Sequence, residues 1–190
     1  MESLSGHLSD MLNARRLDLA VLFRSDEARG WSVMPLLHER LFLIGPPALP
    51  ALQALKGKGR VPLAALGAVP LILPSGPHGL RATLDAAFAR AGIPPPPVVA
   101  EIDSLALLMD AVRAGLGATL QPGAAIARLD GSPLVVRQLA DAAASRTNLL
   151  ASLSDDELSP AGLAARVVLA DVARGLVAAG RWPGARLHGS

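Results

Sequence analysis

Residues 103–122 read Asp-Ser-Leu-Ala-Leu-Leu-Met-Asp-Ala-Val-Arg-Ala-Gly-Leu-Gly-Ala-Thr-Leu-Gln-Pro. Leu105, Leu108, Met109 and Val112 recur at i, i+3, i+4 and i+7, which puts one apolar stripe on a helix. Asp103 or Ser104 can cap its first turn by accepting a backbone N–H bond. Gly115, just after Arg113 and Ala114, suits the left-handed residue that closes a helix. Ala118 to Gln121 then reads as a short strand, stopped by Pro122, which has no N–H to give a sheet ladder. Helix, glycine hinge, buried strand and stop make one turn of an α/β layer. Its polar ends, Asp103-Ser104 at the helix start and Gln121 at the strand tip, are where open α/β sheets place small ligands.

Working outward towards the N-terminus, Val98 to Ile102 is the strand that feeds this helix. Four prolines, Pro94 to Pro97, precede it as an extended polyproline segment. Leu80 to Ala91 predicts a helix with Leu80, Leu84, Ala87, Phe88 and Ala91 on one side, closed by Gly92. Pro70 to Pro74 is a short core strand followed by a turn over 75–79. Residues 48–68 read as a connection containing a short helix. Leu41 to Ile44 is a buried strand ended by Gly45-Pro46-Pro47, and 31–37 is read as a separate strand before it. Further back lie a polar loop over 24–30, a nearly continuous apolar strand of the buried parallel kind from Arg16 to Phe23, and a helix opened by Ser5-Gly6. That helix carries Leu8, Met11 and Leu12 on one face.

Beyond Pro122, residues 123–128 make one helical turn, and 134–139 and 147–153 read as strands. Ser159-Pro160 is an N-cap followed by a proline at the first helical position, starting a long helix to about Ala179. Its wide apolar face (Leu163, Val167 and Ala170; Leu169, Val172 and Leu176) predicts burial on more than one side, and the tail from Gly180 is read as frayed. The alternation of strands and helices predicts parallel βαβ units with right-handed crossovers. They group into two α/β lobes, 1–66 plus 145–190 and 67–144, joined by two crossings with a cleft between them.

Composition narrows the function classes. A chain of 190 residues that is 51% hydrophobic and 18% charged folds around a core. Aromatic residues make up only 3%, with no Tyr, which disfavours a base-stacking surface. The net charge of +2 is too small for a phosphate-tracking face. Cysteine is absent, which removes thiolate and disulfide chemistry and fits a reducing cytosol. The apolar run Val61 to Leu73 is broken by Pro62, Gly67 and Pro70, and nothing is long enough to span a bilayer. With no export signal after Met1, the expectation is a cytoplasmic protein. The histidines His7, His38, His78 and His188 lack metal-ligand spacing, and Gly57-Lys58-Gly59 lacks the spacing of a phosphate loop. Ser75 with His78, or Ser5 with His7, are near in sequence, but no third residue orients them, so no catalysis is expected. No cofactor is expected either.

Several segments together resemble one family. Leu8 to Phe23, ending Arg-Leu-Asp-Leu-Ala-Val-Leu-Phe, is similar to the "L…L..G.LDLAI" signature of LysR-type transcriptional regulators. Pro35-Leu36-Leu37 through Leu41-Phe42-Leu43-Ile44-Gly45-Pro46 resembles that family's "PL..E.LvLVgp". Residues 101–122 resemble its "ds…..lV.aGlGvallP", and Pro160-Ala161-Gly162 onward its closing helix. The likeness runs from about Ser3 to Ala179, and its weight lies in four motifs in order. It implies the effector-binding half of such a regulator, with two Rossmann-like subdomains of the type 2 periplasmic-binding-protein kind and a small-molecule co-inducer in the cleft. The family's N-terminal helix-turn-helix, about ninety residues ahead, is not in this chain, and its first effector-domain strand is missing or cut to Glu2-Ser3. The resemblance therefore implies DNA binding only through that N-terminal domain. It also implies a homodimer or tetramer in which the first helix, Leu8 to Arg15, packs antiparallel on the partner's Leu80 to Arg90. The rival reading on the same fold is a solute-binding protein serving a transporter; the missing export signal argues against it.

The resemblance also suggests where the effector sits. The candidates are Ser3, Ser5, Gly6 and His7 before the first helix, and Ser75, Gly76, Pro77 and His78 after the second-lobe strand. Asp103, Ser104, Thr119, Gln121 and Pro122 complete the set, with Phe23 and Arg24 at the end of the first-lobe strand. Hydroxyls and free N–H groups at helix starts suit a small anion, each contact contributing roughly 0.3–1 kcal/mol. Any single serine is as readily an ordinary helix cap, Gln121 can be satisfied internally, and Arg24 can be a solvated loop residue. Asp103 disfavours an anion unless it caps the helix, or else it holds a cationic ligand, so the effector's charge stays open.

Overall fold

The computed structural model describes residues 5–23, 31–55, 57, 59–76, 79–127, 129, 131 and 133–189, with Ser5 by its backbone only. In chain order the elements begin with α1 (Ser5–Asn13), β1 (Leu19–Leu22), β2 (Ser32–Gly45), α2 (Pro50–Gln53), a 3-10 turn (Leu63–Leu66) and β3 (Leu71–Leu73). They continue with α3 (Gly79–Ala91), β4 (Val98–Glu101), α4 (Leu105–Arg113), β5 (Thr119–Pro122) and α5 (Gly123–Ile126). The last are β6 (Val135–Gln138), β7 (Ser145–Ser152), α6 (Pro160–Ala178) and β8 (Ala185–Leu187).

The chain divides into two units, Met1–Glu39 with Arg146–Ser190, and Arg40–Ser145. The second passage falls within a residue or two of the sequence expectation, whereas the first comes well before Leu66. Packing explains the difference. Leu41, Leu43, Leu52, Val61, Leu63 and Leu66 are buried in one cluster with Leu71, Leu84 and Phe88, so residues 40–66 belong with the middle of the chain.

In the Arg40–Ser145 unit, β3 and β4 pair in parallel around α3, with Leu71 opposite Val98 and Leu73 opposite Glu101. A parallel bridge from Leu71 to Ala118 sets β5 beside β3 after α4. This is the expected βαβ pattern, and α4 follows its sequence closely. Leu108, Met109, Ala111 and Val112 are buried, Gly115 takes φ +86°, and Gly117 lies so close to the Pro70 carbonyl that a Cβ would sit 2.8 Å from it. Side chains at 117 are thereby excluded, and Ala118 N–H donates to that carbonyl at 2.9 Å. Elsewhere in this unit a parallel bridge joins Val61 to Leu139. The end of β2 runs antiparallel to both β5 and β6, with Phe42 opposite Gln121 on one side and Gln138 on the other.

In the other unit, β1 is antiparallel to β7 rather than parallel, Leu19 facing Ser152 and Leu22 facing Leu149. Leu12, Ala20, Leu22 and Ala151 bury together, with Leu8 and Val33 against them. Three more expectations change here. The two strands read over 31–37 and 39–45 are one continuous β2, because the intervening polar residues find distant partners rather than a turn. The tail is ordered: β8 adds to β2 with Leu37 opposite Leu187 and Glu39 opposite Ala185. The wide apolar face of α6 is only partly covered within the chain. Gly162, Ala170 and Ala173 are buried, while Val167, Val168, Leu169 and Val172 stay 42–58% exposed.

Candidate functional site

Because β4, β3 and β5 run parallel side by side, their C-terminal ends share one edge of the Arg40–Ser145 unit. Open α/β sheets bind ligands at such edges. Residues from all three strand ends meet or approach it. The backbone N–H of Ser75 donates to Asp103 Oδ1 at 2.8 Å, and the Ser75 hydroxyl donates to Oδ2 at 3.0 Å. The cap of α4 is Ser104, whose hydroxyl accepts from the Leu107 N–H. Asp103 and Ser75 thus stitch two strand ends together, and Ser104 orients the first turn of α4, whose N–H groups carry the positive end of the helix dipole. Of the two residues that could have capped α4, the serine does so.

Gln121 lies near the C-terminal end of β5, and Thr119 opens that strand two residues before it. Both are buried, and Gln121 Nε2 donates to Thr119 Oγ1 at 3.1 Å. Their cross-strand partners Ile44 and Phe42 pack with Leu108, Met109 and Val112 of α4. The pair is therefore a polar inset in an apolar face, as the residue types at a strand tip suggested. Pro122, also buried, is the N-cap residue of α5 without a side-chain bond. Gly76 is exposed beside Ser75.

The Met1–Glu39 and Arg146–Ser190 unit holds the remaining candidates. Gly6 and His7 are exposed in the first turn of α1. Phe23, next after β1, lies beneath a guanidinium: the Arg146 carbon is 3.4 Å from its ring centroid. Arg146 Nε donates to Glu39 Oε1 at 2.7 Å, and Trp182 Nε1 donates to Glu39 Oε2 at 2.9 Å. Glu39 is fully buried. Burial pushes the Arg146 guanidinium below its ordinary range, and the Glu39 carboxylate opposes that shift. Beside this group, His38 Nδ1 bonds the Thr147 hydroxyl at 2.8 Å and its Nε2 meets His188 Nδ1 at 2.9 Å. Partial burial, then His188 and Arg186, hold His38 below its usual range. Sequence reading missed Glu39, Arg146 and Trp182. A charge in the middle of apolar strands, at Glu39 and at Arg146, was the available signal. Ser3, Arg24, Pro77 and His78, with the side chain of Ser5, lie outside the described residues.

Among the described residues no cluster of three His, Asp or Glu is placed to hold a metal, and no helix is long and apolar enough to cross a membrane. What this geometry offers is hydrogen-bond recognition.

The comparisons with known proteins agree in kind. The model of the LysR substrate binding domain matches residues 1–174. The HTH-type transcriptional regulator BbuR of Bordetella bronchiseptica is 31% identical over 97% of this chain and 55% of its own length. The nitrogen assimilation regulatory protein nac of Klebsiella aerogenes is 33% identical over 69% of the chain and 40% of its own length. A probable hydrogen peroxide-inducible genes activator of Mycobacterium leprae is 35% identical over 66% of the chain and 39% of its own length. The chain thus spans about half the length of these relatives or less. Among solved structures, the effector binding domain of QuiR in complex with shikimate superposes with a TM-score of 0.78 at 20% identity, covering 91% of this chain and 79% of that one. The hydrogen peroxide-bound C206S mutant of OxyR from Corynebacterium glutamicum gives 0.68 at 28% identity, covering 82% and 48%.

Proposed function

This chain belongs to the LysR substrate-binding domain family, and from that premise we propose that it is the effector-binding part of a transcriptional regulator. It senses a small polar molecule, and it controls DNA through a separate helix-turn-helix domain. The observation that carries the reading is the shared C-terminal edge of β4, β3 and β5, where Ser75, Asp103 and Ser104 follow two of the strands and Gln121 lies near the end of the third. Ser75 and Asp103 are spent on each other, so the groups we assign to ligand recognition are the N–H groups opening α4 and the Gln121 amide.

The relatives are regulators, which favours this reading over delivery to a transporter. The peroxide-linked relatives suggest an oxidant as the signal, but a chain with no cysteine has no thiol to oxidise. The shikimate-bound relative points instead to a small carboxylate. We further propose a two-fold dimer that pairs α1 of one copy with α3 of the other.

Binding changes a conformational equilibrium only by its differential affinity for the two states, about 1.4 kcal/mol per factor of ten. Calorimetric titration of the chain with a panel of small carboxylates tests the assignment. A binder whose affinity falls at least tenfold in Gln121→Leu supports it; a binder indifferent to that change, or a panel without binders, overturns it. Sedimentation that finds only monomer at micromolar concentration overturns the dimer.

A further inference from the structure

A hollow of about 380 Å³ opens between α6 and the sheet, within the unit formed by Met1–Glu39 and Arg146–Ser190. That volume lies in the range of small-molecule sites. The sequence accounts for the space. Arg166, Ala170 and Arg174 line it and recur every four residues, so they share one stripe of the helix. Ala170, in the middle, is too small to reach across. The two arginines stand at either end, about 12 Å apart along the axis. From the sheet, Ser32 and Met34 project from one face of β2, and Leu150 comes from the adjacent β7. Met34, Leu150 and Ala170 thus give an apolar floor, with the exposed Val167 beside it.

The two charged ends differ. Arg166 Nη1 and Nη2 donate to the two oxygens of Asp155, the second at 3.2 Å, and Ser32 bonds the same carboxylate. That end is a fixed wall. Arg174 pairs instead with Asp171, one turn back on its own helix, and both side chains are more than half exposed. An exposed pair of this kind is weak and exchanges readily, and the guanidinium fork matches any carboxylate. Around the hollow stand two guanidiniums and one carboxylate, a single net positive charge. An apolar floor ending in an exchangeable cation complements an anion whose charge sits at the tip of an apolar body.

We propose that this hollow is a binding site for a monocarboxylate with an apolar tail. The carboxylate takes the Arg174 fork in place of Asp171, and the tail lies on Met34, Leu150 and Ala170. The site goes beyond the effector reading and does not depend on it, because none of these residues belongs to the edge of β3 to β5.

The probe is octanoate, titrated by calorimetry into the full chain, with its neutral counterpart octanamide as control. Octanoate should bind at least fivefold more tightly than octanamide, and Arg174→Gln, at an exposed position, should abolish that preference. A second measurement locates the ligand. Met34 lines the hollow, whereas Met109 is buried on α4 in the other unit. In protein carrying methyl-labelled methionine, octanoate should move the Met34 NMR signal and leave Met109 in place. No binding at millimolar octanoate, equal affinity for the two probes, or a preference that survives Arg174→Gln overturns the proposal. A Met109 signal that moves while Met34 stays still overturns it too, and assigns the acid to the unit of the effector edge, leaving the effector reading intact.

Discussion

The polar groups of the two units solve the same problem in opposite ways. In the unit from Arg40 to Ser145 those of the candidate site lie in or beside short strands and at a helix start, and they satisfy one another over shorter reach: Ser75 with Asp103, Gln121 with Thr119, Ser104 with its own helix. In the other unit they sit in mid-strand and are met by residues more than a hundred positions away, as in Glu39 with Arg146 and Trp182. Satisfaction at a turn or helix start, as at Ser75 and Ser104, tolerates loss, because water reaches it. A buried charge in a sheet does not, because nothing replaces its partner.

The sharpest way to break that contrast is Glu39→Ala. It strands the Arg146 guanidinium in a dry site, and the expected cost is roughly 3–5 kcal/mol of folding stability, read from urea or guanidinium unfolding. Replacing both, Glu39→Leu with Arg146→Met, should recover most of that loss; a double variant as unstable as the single one would show that the pair's packing, not its charge, matters. Next in size is Gln121→Ala. It leaves the Thr119 hydroxyl buried without its donor, and the expected loss is about 1–3 kcal/mol in the same assay. Removal of the α4 cap in Ser104→Ala should cost about 1 kcal/mol, because only one N–H loses its acceptor and solvent is near. A larger loss for Ser104→Ala than for Gln121→Ala would invert the comparison.

The smallest effect is with pH. His38 is held below its usual range, so its charged form is disfavoured in the folded chain. The unfolded chain then binds the proton more readily, and the stabilisation present above pH 6.5, the ordinary histidine value, is lost as pH falls through it. The groups facing it are His188 and Arg186 on the tail and Thr147 on β7. Amide exchange across 185–187 should therefore quicken on acidification, and His38→Gln should flatten that dependence. Exchange that is insensitive to pH beyond its intrinsic chemistry would remove the histidine pair as the cause.

The same contrast explains what was legible in the sequence. Helix α4, the Gly115 that closes it and the buried strand β5 follow from local rules: an apolar period, a left-handed closure, a proline stop. So do the caps at Ser104 and Ser159, the latter bonding the Gly162 N–H at 3.1 Å. The single strand β2 did not follow. His38, Glu39 and Arg40 interrupt its apolar pattern and imitate a turn, and only their partners keep it extended. Glu39 needs Arg146 and Trp182, His38 needs His188, and Arg40 reaches the carbonyls of Leu139, Ala140 and Asp141. Nothing within ten residues announces such partners. The unit boundary was misplaced for the same reason: it lies between Glu39 and Arg40, inside that charged run. Of the candidate site, the strand-end residues were readable by type and position, whereas Arg146 lies inside a strand and carries no turn signature.

The strand made by 185–187 has a practical bearing on how this protein is handled. Trimming the chain after the long α6 would bare the N–H and C=O groups of Leu37 to Glu39 along a sheet margin. Uncovered margins of that sort recruit other chains, and the protein would then be lost to precipitation. Purification handles therefore belong at the other terminus, or behind a spacer that leaves the last ten residues free to dock.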